Sequence, residues 1–168
     1  MASIGILYGS MSFNTRKAAL LIKNMLNNGS NVHDIADCTA EDLLEYQTLI
    51  VGTSTWGFGD PQPDLEEFLP QLQKLDLQGK KVALFGVGDQ RAYPDSFVNG
   101  LRPLYEALLA CGAEVIGRWS AEGYDFIHST ALEDGRFIGL VLDEDNQSSM
   151  TVERVRAWVE QLRVELGL

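Results

Sequence analysis

The alternation of apolar and amphipathic segments predicts an α/β fold. It would be a doubly wound five-stranded parallel sheet, strand order 2-1-3-4-5, with an insertion splitting strand 5. Three observations carry this. Short, near-continuous apolar runs alternate with amphipathic stretches along the 168 residues, as parallel strands buried on both faces do. The loops after the first, third and fourth runs hold glycines, hydroxyls and aromatic residues, where an open parallel sheet binds its ligand. Residues 119–150, too many for a simple connection, separate the fifth run from the last helix.

Residues 2–8 are apolar and run into Gly9, which predicts a buried strand. Ala18, Leu21, Ile22, Met25 and Leu26 recur at helical spacing over 15–27, and Asn28-Gly29 stops them. A second strand fits 31–36, and a short helix capped by Thr39 fits 40–45. Residues 48–52 form a central strand, and a helix over 64–75 follows Pro63. The fourth strand covers 81–87, a helix from 97 to 111 ends at Gly112, and 114–117 begins the fifth strand. Within the long connection, 137–142 is a further strand candidate behind the turn Glu133-Asp134-Gly135. An insertion interrupting strand five explains this better than a sixth repeat of strand and helix. The last helix covers 152–166, with Thr151 as its cap. No repeat or linker intervenes, so residues 1–168 are expected to form a single domain.

Charge narrows the function classes. Twenty-four acids against thirteen Lys and Arg give a net charge of −11, with a pI near 4.5. Nucleic acid and anionic membrane surfaces are therefore not expected partners. Cys38 and Cys111 are too few for a disulfide framework and lack metal-ligand spacing. The N-terminus has no basic, leader-like segment and no window approaches a membrane span, so a soluble cytoplasmic protein is expected.

The site is expected where strand order reverses. The first loop, Gly9-Ser10-Met11-Ser12-Phe13-Asn14-Thr15, leads into a helix N-terminus, whose amides, dipole and hydroxyls suit a phosphate. No Gly-Lys-Ser/Thr follows, so it is not a Walker loop. The second, Thr53-Ser54-Thr55-Trp56-Gly57-Phe58-Gly59-Asp60, places Trp56 just beyond a buried strand. The third, Gly88-Asp89-Gln90-Arg91-Ala92, leads to Tyr93 in the equivalent position. Two rings projecting from neighbouring loops can sandwich a flat heterocycle, and the pair beside a phosphate loop points to a planar phosphorylated ligand.

In this order these motifs resemble the flavodoxins, the long-chain subgroup in particular. The matching stretches are Tyr8-Gly9-Ser10, Thr55-Trp56-Gly57-Phe58-Gly59, and Phe85-Gly86-Val87-Gly88-Asp89-Gln90 with Tyr93. They continue through Gly123-Tyr124-Asp125-Phe126, Gly139-Leu140 and Leu142-Asp143-Glu144-Asp145-Asn146-Gln147. The resemblance implies a flavodoxin-like fold, one non-covalently bound FMN and a low-potential one-electron carrier with no catalytic residue and no metal. It implies that Ser10, Met11, Ser12, Phe13, Asn14 and Thr15 hold the phosphate. Trp56 and Tyr93 would flank the isoalloxazine, with Thr55, Gly57, Phe58, Val87, Gly88 and Asp89 around the ring and Asp145 near the ribityl chain. Gly57 would let the following peptide turn a carbonyl toward flavin N5, since glycine restricts that rotation least. The family usually has Gly where Phe13 stands. A required positive φ there would cost about 1–2 kcal/mol, whereas ordinary dihedrals would only expose a ring.

An FMN-dependent NAD(P)H or quinone oxidoreductase on the same fold is the alternative, although no second nucleotide-binding motif supports it. His33 and His128 are expected away from the three loops. A signalling receiver domain would need an acidic pair after strand one, where Gly9-Ser10 stand, and an Asp after strand three, where Ser54-Thr55-Trp56 stand. From Asn24 to Gln73 there are nine acids and no Lys or Arg. That one-sided field predicts docking of basic redox proteins near Asp60, Asp64, Glu66 and Glu67, and the resemblance implies a monomer served by a flavodoxin/ferredoxin reductase-type donor and an acceptor enzyme.

Overall fold

Apolar alternation along the strands divides the side chains between the two faces of one parallel sheet. The computed structural model describes residues 3–9, 13–56 and 60–168, with the backbone alone for Trp56, Asp60 and Pro61. β1 (Ile4–Gly9), α1 (Phe13–Leu26), β2 (Asn31–Asp34), β3 (Thr48–Trp56), β4 (Asp60–Pro61), α2 (Pro63–Leu72), β5 (Lys81–Val87) and α3 (Leu101–Ala110) occupy the first two thirds. β6 (Glu114–Ile116), β7 (Trp119–Ser120), β8 (Leu132–Glu133), β9 (Arg136–Phe137), β10 (Leu140–Leu142), α4 (Glu144–Gln147) and α5 (Thr151–Leu166) complete the chain. Among the described residues no helix is long and apolar enough to cross a membrane.

The main sheet runs β10-β5-β3-β1-β2, all parallel. With β5 as the fourth strand, this is the expected order 2-1-3-4-5. The fifth strand comes in two pieces. β6 pairs with residues 81–83 of β5, and β10 continues the same edge against residues 85–87. Residues 117–139 leave and re-enter the sheet between them, as the spacing predicted. Ile6, Ile22, Phe85 and Trp158 belong to the core shared with α1 and α5. Leu7, Leu49, Leu65 and Leu104 belong to the core shared with α2 and α3.

Local chemistry moved several boundaries. β2 ends at Asp34 rather than 36, because the Asp34 carboxylate accepts the Ala36 amide (3.0 Å) and starts a 3-10 turn over Ile35–Asp37. Residues 40–45 are also 3-10, and the Asp42 carboxylate accepts the Thr39 amide (2.9 Å). α3 begins at Leu101, later than 97, behind Val98 at φ +49°, a conformation that no helix contains. Thr151 opens α5 rather than capping it, and its hydroxyl donates to Glu144. The run 137–142 is cut at Gly139, where a Cβ would lie 2.3 Å from the Leu84 carbonyl oxygen. Its first part, β9, belongs instead to a small antiparallel sheet, β7-β9-β8, closed by Asp134 (φ +54°) and Gly135 (φ +77°). Phe97 joins Tyr124, Phe126 and Phe137 in an aromatic cluster that fixes this insertion to the body.

Candidate functional site

β1, β3 and β5 end on the same side of the sheet, so their following segments converge. Asn14, Thr55, Val87, Gly88, Asp89, Tyr93 and Asp145 line one open cleft of about 220 Å³. It sits at the carboxyl ends of the strands, where a doubly wound sheet presents its ligand crevice. Among the described residues, Ser54, Ser96, Phe97 and Val98 also line it. Tyr93 is half exposed (53%), a large aromatic surface at the cleft.

At the N-terminus of α1, Thr15 is fully buried (0%), yet its hydroxyl has no hydrogen-bond partner among the described residues. Buried polar atoms are nearly always paired, so an orphan at a helix N-terminus suits a bound anion. Phe13 is the first residue of α1, lacks a positive φ, and is 81% exposed. It lies in a groove with Arg16, Leu20 and Val152 instead of lining the cleft. Its dihedrals are thus ordinary, and the substitution adds only an exposed ring. Ser10, Met11, Ser12, Gly57 and Phe58 lie outside the described residues. Trp56 ends β3, its backbone paired with Asp60.

Asp89 shapes the opposite wall. Its Oδ1 accepts the amides of Arg91 (3.1 Å) and Ala92 (2.9 Å) and the Nδ2 of Asn146 (2.8 Å). Desolvation pushes its carboxyl upward, but these donors and the Arg91 charge outweigh it and leave the pKa below the ordinary value. Asp145 is shifted up, first by desolvation and then by Asp89, Asp143 and Glu144. Gly88 donates its amide to Leu142 (3.0 Å), and a Cβ on it would come within 2.8 Å of Val98 Cγ1. The cleft wall therefore requires the bare backbone that glycine provides.

His33 lies away from the cleft, at 2.6 Å from the Tyr46 hydroxyl. His128 does not keep its distance. Its amide donates to Pro94 (2.9 Å), next to Tyr93, and its carbonyl accepts the amide of Phe97 (3.3 Å). The insertion folds back against the third loop, which sequence order could not reveal. Burial raises the pKa of both cysteines, first by desolvation, and Cys111 Sγ contacts the Leu72 carbonyl at 3.1 Å. Both thiols are thus in the inert class. Of the acids beyond β3, Glu66 and Glu67 are exposed. Asp64 accepts the Gln62 side-chain amide (3.0 Å).

The sequence reading missed Phe97 and Val98, which sit in what reads as the start of a helix. It also missed Gln90, Asp143 and Asn146 as the supports of this wall. Burial within an acidic stretch leaves no compositional signal.

The family model described as Flavodoxin matches residues 6–158. A flavodoxin of Klebsiella pneumoniae is 46% identical over 173 residues, covering 97% of this chain and 98% of that one. A flavodoxin of Nostoc sp. is 42% identical over 166 residues, covering 98% of each. The crystal structure of Fusobacterium nucleatum flavodoxin bound to flavin mononucleotide superposes with a TM-score of 0.93 at 31% identity. It covers 98% of this chain and 99% of that one.

Proposed function

The chain belongs to the flavodoxin family, and from that premise we propose that it is a soluble, monomeric, cytoplasmic, low-potential one-electron carrier. It would hold FMN non-covalently and serve a basic reductase and basic acceptor proteins. The observation that carries the reading is the cleft where strand order reverses, walled by Gly88, Asp89 and the half-exposed Tyr93. The buried, unpartnered Thr15 hydroxyl fits the phosphate of the same ligand.

Bound FMN would supply the redox chemistry, and the protein would supply its setting. Ser10, Met11, Ser12, Asn14 and Thr15 would hold the phosphate with side-chain donors and the amides of the α1 N-terminus. Trp56 and Tyr93 would flank the ring and exclude water from it. Main-chain groups of Thr55, Gly57, Phe58, Val87, Gly88 and Asp89 would contact its edge, and Asp145 would lie toward the ribityl chain. Asp89 and Asp145, with Asp60 and Asp64 shortly after Trp56 in the sequence, would disfavour added negative charge and so lower the potential. Glu66 and Glu67, with Asp60 and Asp64, would steer a basic partner.

Purification followed by absorbance spectroscopy, with and without added FMN, tests the reading. Flavin bands and FMN release on denaturation are expected. A chain that binds no FMN refutes it. Rapid NAD(P)H oxidation with quinone, in the absence of any added reductase, would establish the oxidoreductase alternative instead.

A further inference from the structure

Asp143 follows β10 and is completely buried (0%), yet it belongs to no ion pair found among the described residues. Amide donors take the place of a cation. Oδ2 accepts from Gln90 through its main-chain amide (3.1 Å) and its Nε2 (2.8 Å). Asn146 donates its main-chain amide to Oδ1 (3.0 Å) and brings Nδ2 to both oxygens (3.1 and 2.9 Å). A buried carboxylate tolerates this only while its donors keep their places.

Both partners pass the contact on. Gln90 is itself buried (3%), and its Oε1 accepts the Asp125 amide (2.5 Å) from the 117–139 insertion. Asn146 Nδ2 reaches Asp89 Oδ1 (2.8 Å) in the cleft wall. A continuous path, Asp125–Gln90–Asp143–Asn146–Asp89, thus joins the insertion to the cleft. Every link but the first has a carboxylate as acceptor, the stronger class of hydrogen bond.

We propose that Asp143 and Gln90 are positioning residues that lock the Gly88–Asp89 wall against the flavin and tie it to the insertion. Order in the insertion and the flavin's potential are then linked. This rests on FMN occupying the cleft. By linkage, whatever FMN does to the insertion, ordering of the insertion does to FMN binding. A scaffold that merely supports the fold would couple neither.

The test compares the holoprotein with Gln90→Met, which removes both polar side-chain contacts while keeping an unbranched chain. Three quantities are measured: FMN affinity by fluorescence titration, the two midpoint potentials, and NMR-detected exchange of the Asp125 amide with and without FMN. The amides of Ile127 and His128, bonded to Pro94 instead (2.8 and 2.9 Å), serve as internal reference. In the native chain FMN should slow exchange at Asp125. In Gln90→Met that slowing should vanish while the reference amides keep theirs, FMN should bind about tenfold more weakly, and at least one potential should shift. Native potentials together with native protection at Asp125 would overturn the proposal, as would a native chain in which FMN leaves Asp125 unaffected. If Gln90→Met does not fold, Asn146→Ala breaks the path at its cleft end and carries the same readouts and outcomes. A native chain that binds no FMN would instead refute the flavin reading itself.

Discussion

Thr15→Val should stabilise the apoprotein and weaken the holoprotein, an opposition that few substitutions produce. Valine keeps the shape of threonine and replaces the hydroxyl by a methyl. In the apoprotein that hydroxyl is fully buried with no partner among the described residues, and an unpaired buried polar group costs about 1–3 kcal/mol. Removing it should therefore raise apoprotein stability by about 1–3 kcal/mol. On the proposed reading the same hydroxyl would donate to phosphate in the complex, and a hydrogen bond to a charged group contributes about 1.5–3 kcal/mol. Its loss should weaken FMN binding roughly ten- to hundredfold. Urea unfolding of the apoprotein and quenching of FMN fluorescence measure the two arms. A variant with a less stable apoprotein and native FMN affinity would refute the assignment of the Thr15 hydroxyl to the phosphate.

Gly88→Ala should lower stability by about 1–3 kcal/mol, because its Cβ would press on Val98 Cγ1 at 2.8 Å and Phe97 Cε1 at 3.1 Å; the urea midpoint reads this directly. Asp89 has a folded pKa below its unfolded one. Its contribution is therefore complete above the ordinary carboxylate range and is lost as pH falls through the lowered value. Asp89→Asn should accordingly flatten the acid limb of a stability–pH curve measured by urea unfolding. Electron-transfer rates to a basic reductase should fall as salt rises, and Glu66→Gln with Glu67→Gln should reduce that dependence in stopped-flow measurements; native rates flat in salt would remove the steering argument.

The central strands were legible because they are buried on both faces. The runs at β1, β3 and β5 have no polar side to confuse the period, and β5 falls on the expected residues 81–87. The split fifth strand was legible from chain length alone, since no short connection uses so many residues. What escaped depends on contacts between distant segments. Gly139 cuts an apolar run only because the Leu84 carbonyl approaches it. Val98 delays α3 through a backbone conformation that nothing in its side chain announces. The convergence of the loops followed from the topology, and Asn14, Thr55, Val87, Gly88, Asp89, Tyr93 and Asp145 line one cleft. Phe13 was placed with them because it sits in the same loop, but helix geometry turns it outward.

The charge of −11 is best understood by separating acids according to what they bond. Asp34, Asp42, Asp89 and Asp143 accept main-chain amides and define turns, a capping contact and the cleft wall. Their value lies in geometry, so neutralising them should change folding or FMN binding. Glu41, Glu66 and Glu67 are exposed and take part in none of the ion pairs found among the described residues. Their value lies in the field they project, which salt screens and amide substitutes abolish without disturbing the backbone. The two groups should separate in experiment. A loss of FMN affinity belongs to the amide-bonded acids, and a loss of salt-sensitive encounter belongs to the exposed ones. On the proposed reading the acidic composition serves two ends, the main-chain geometry of turns and cleft wall and a field directed at basic partners.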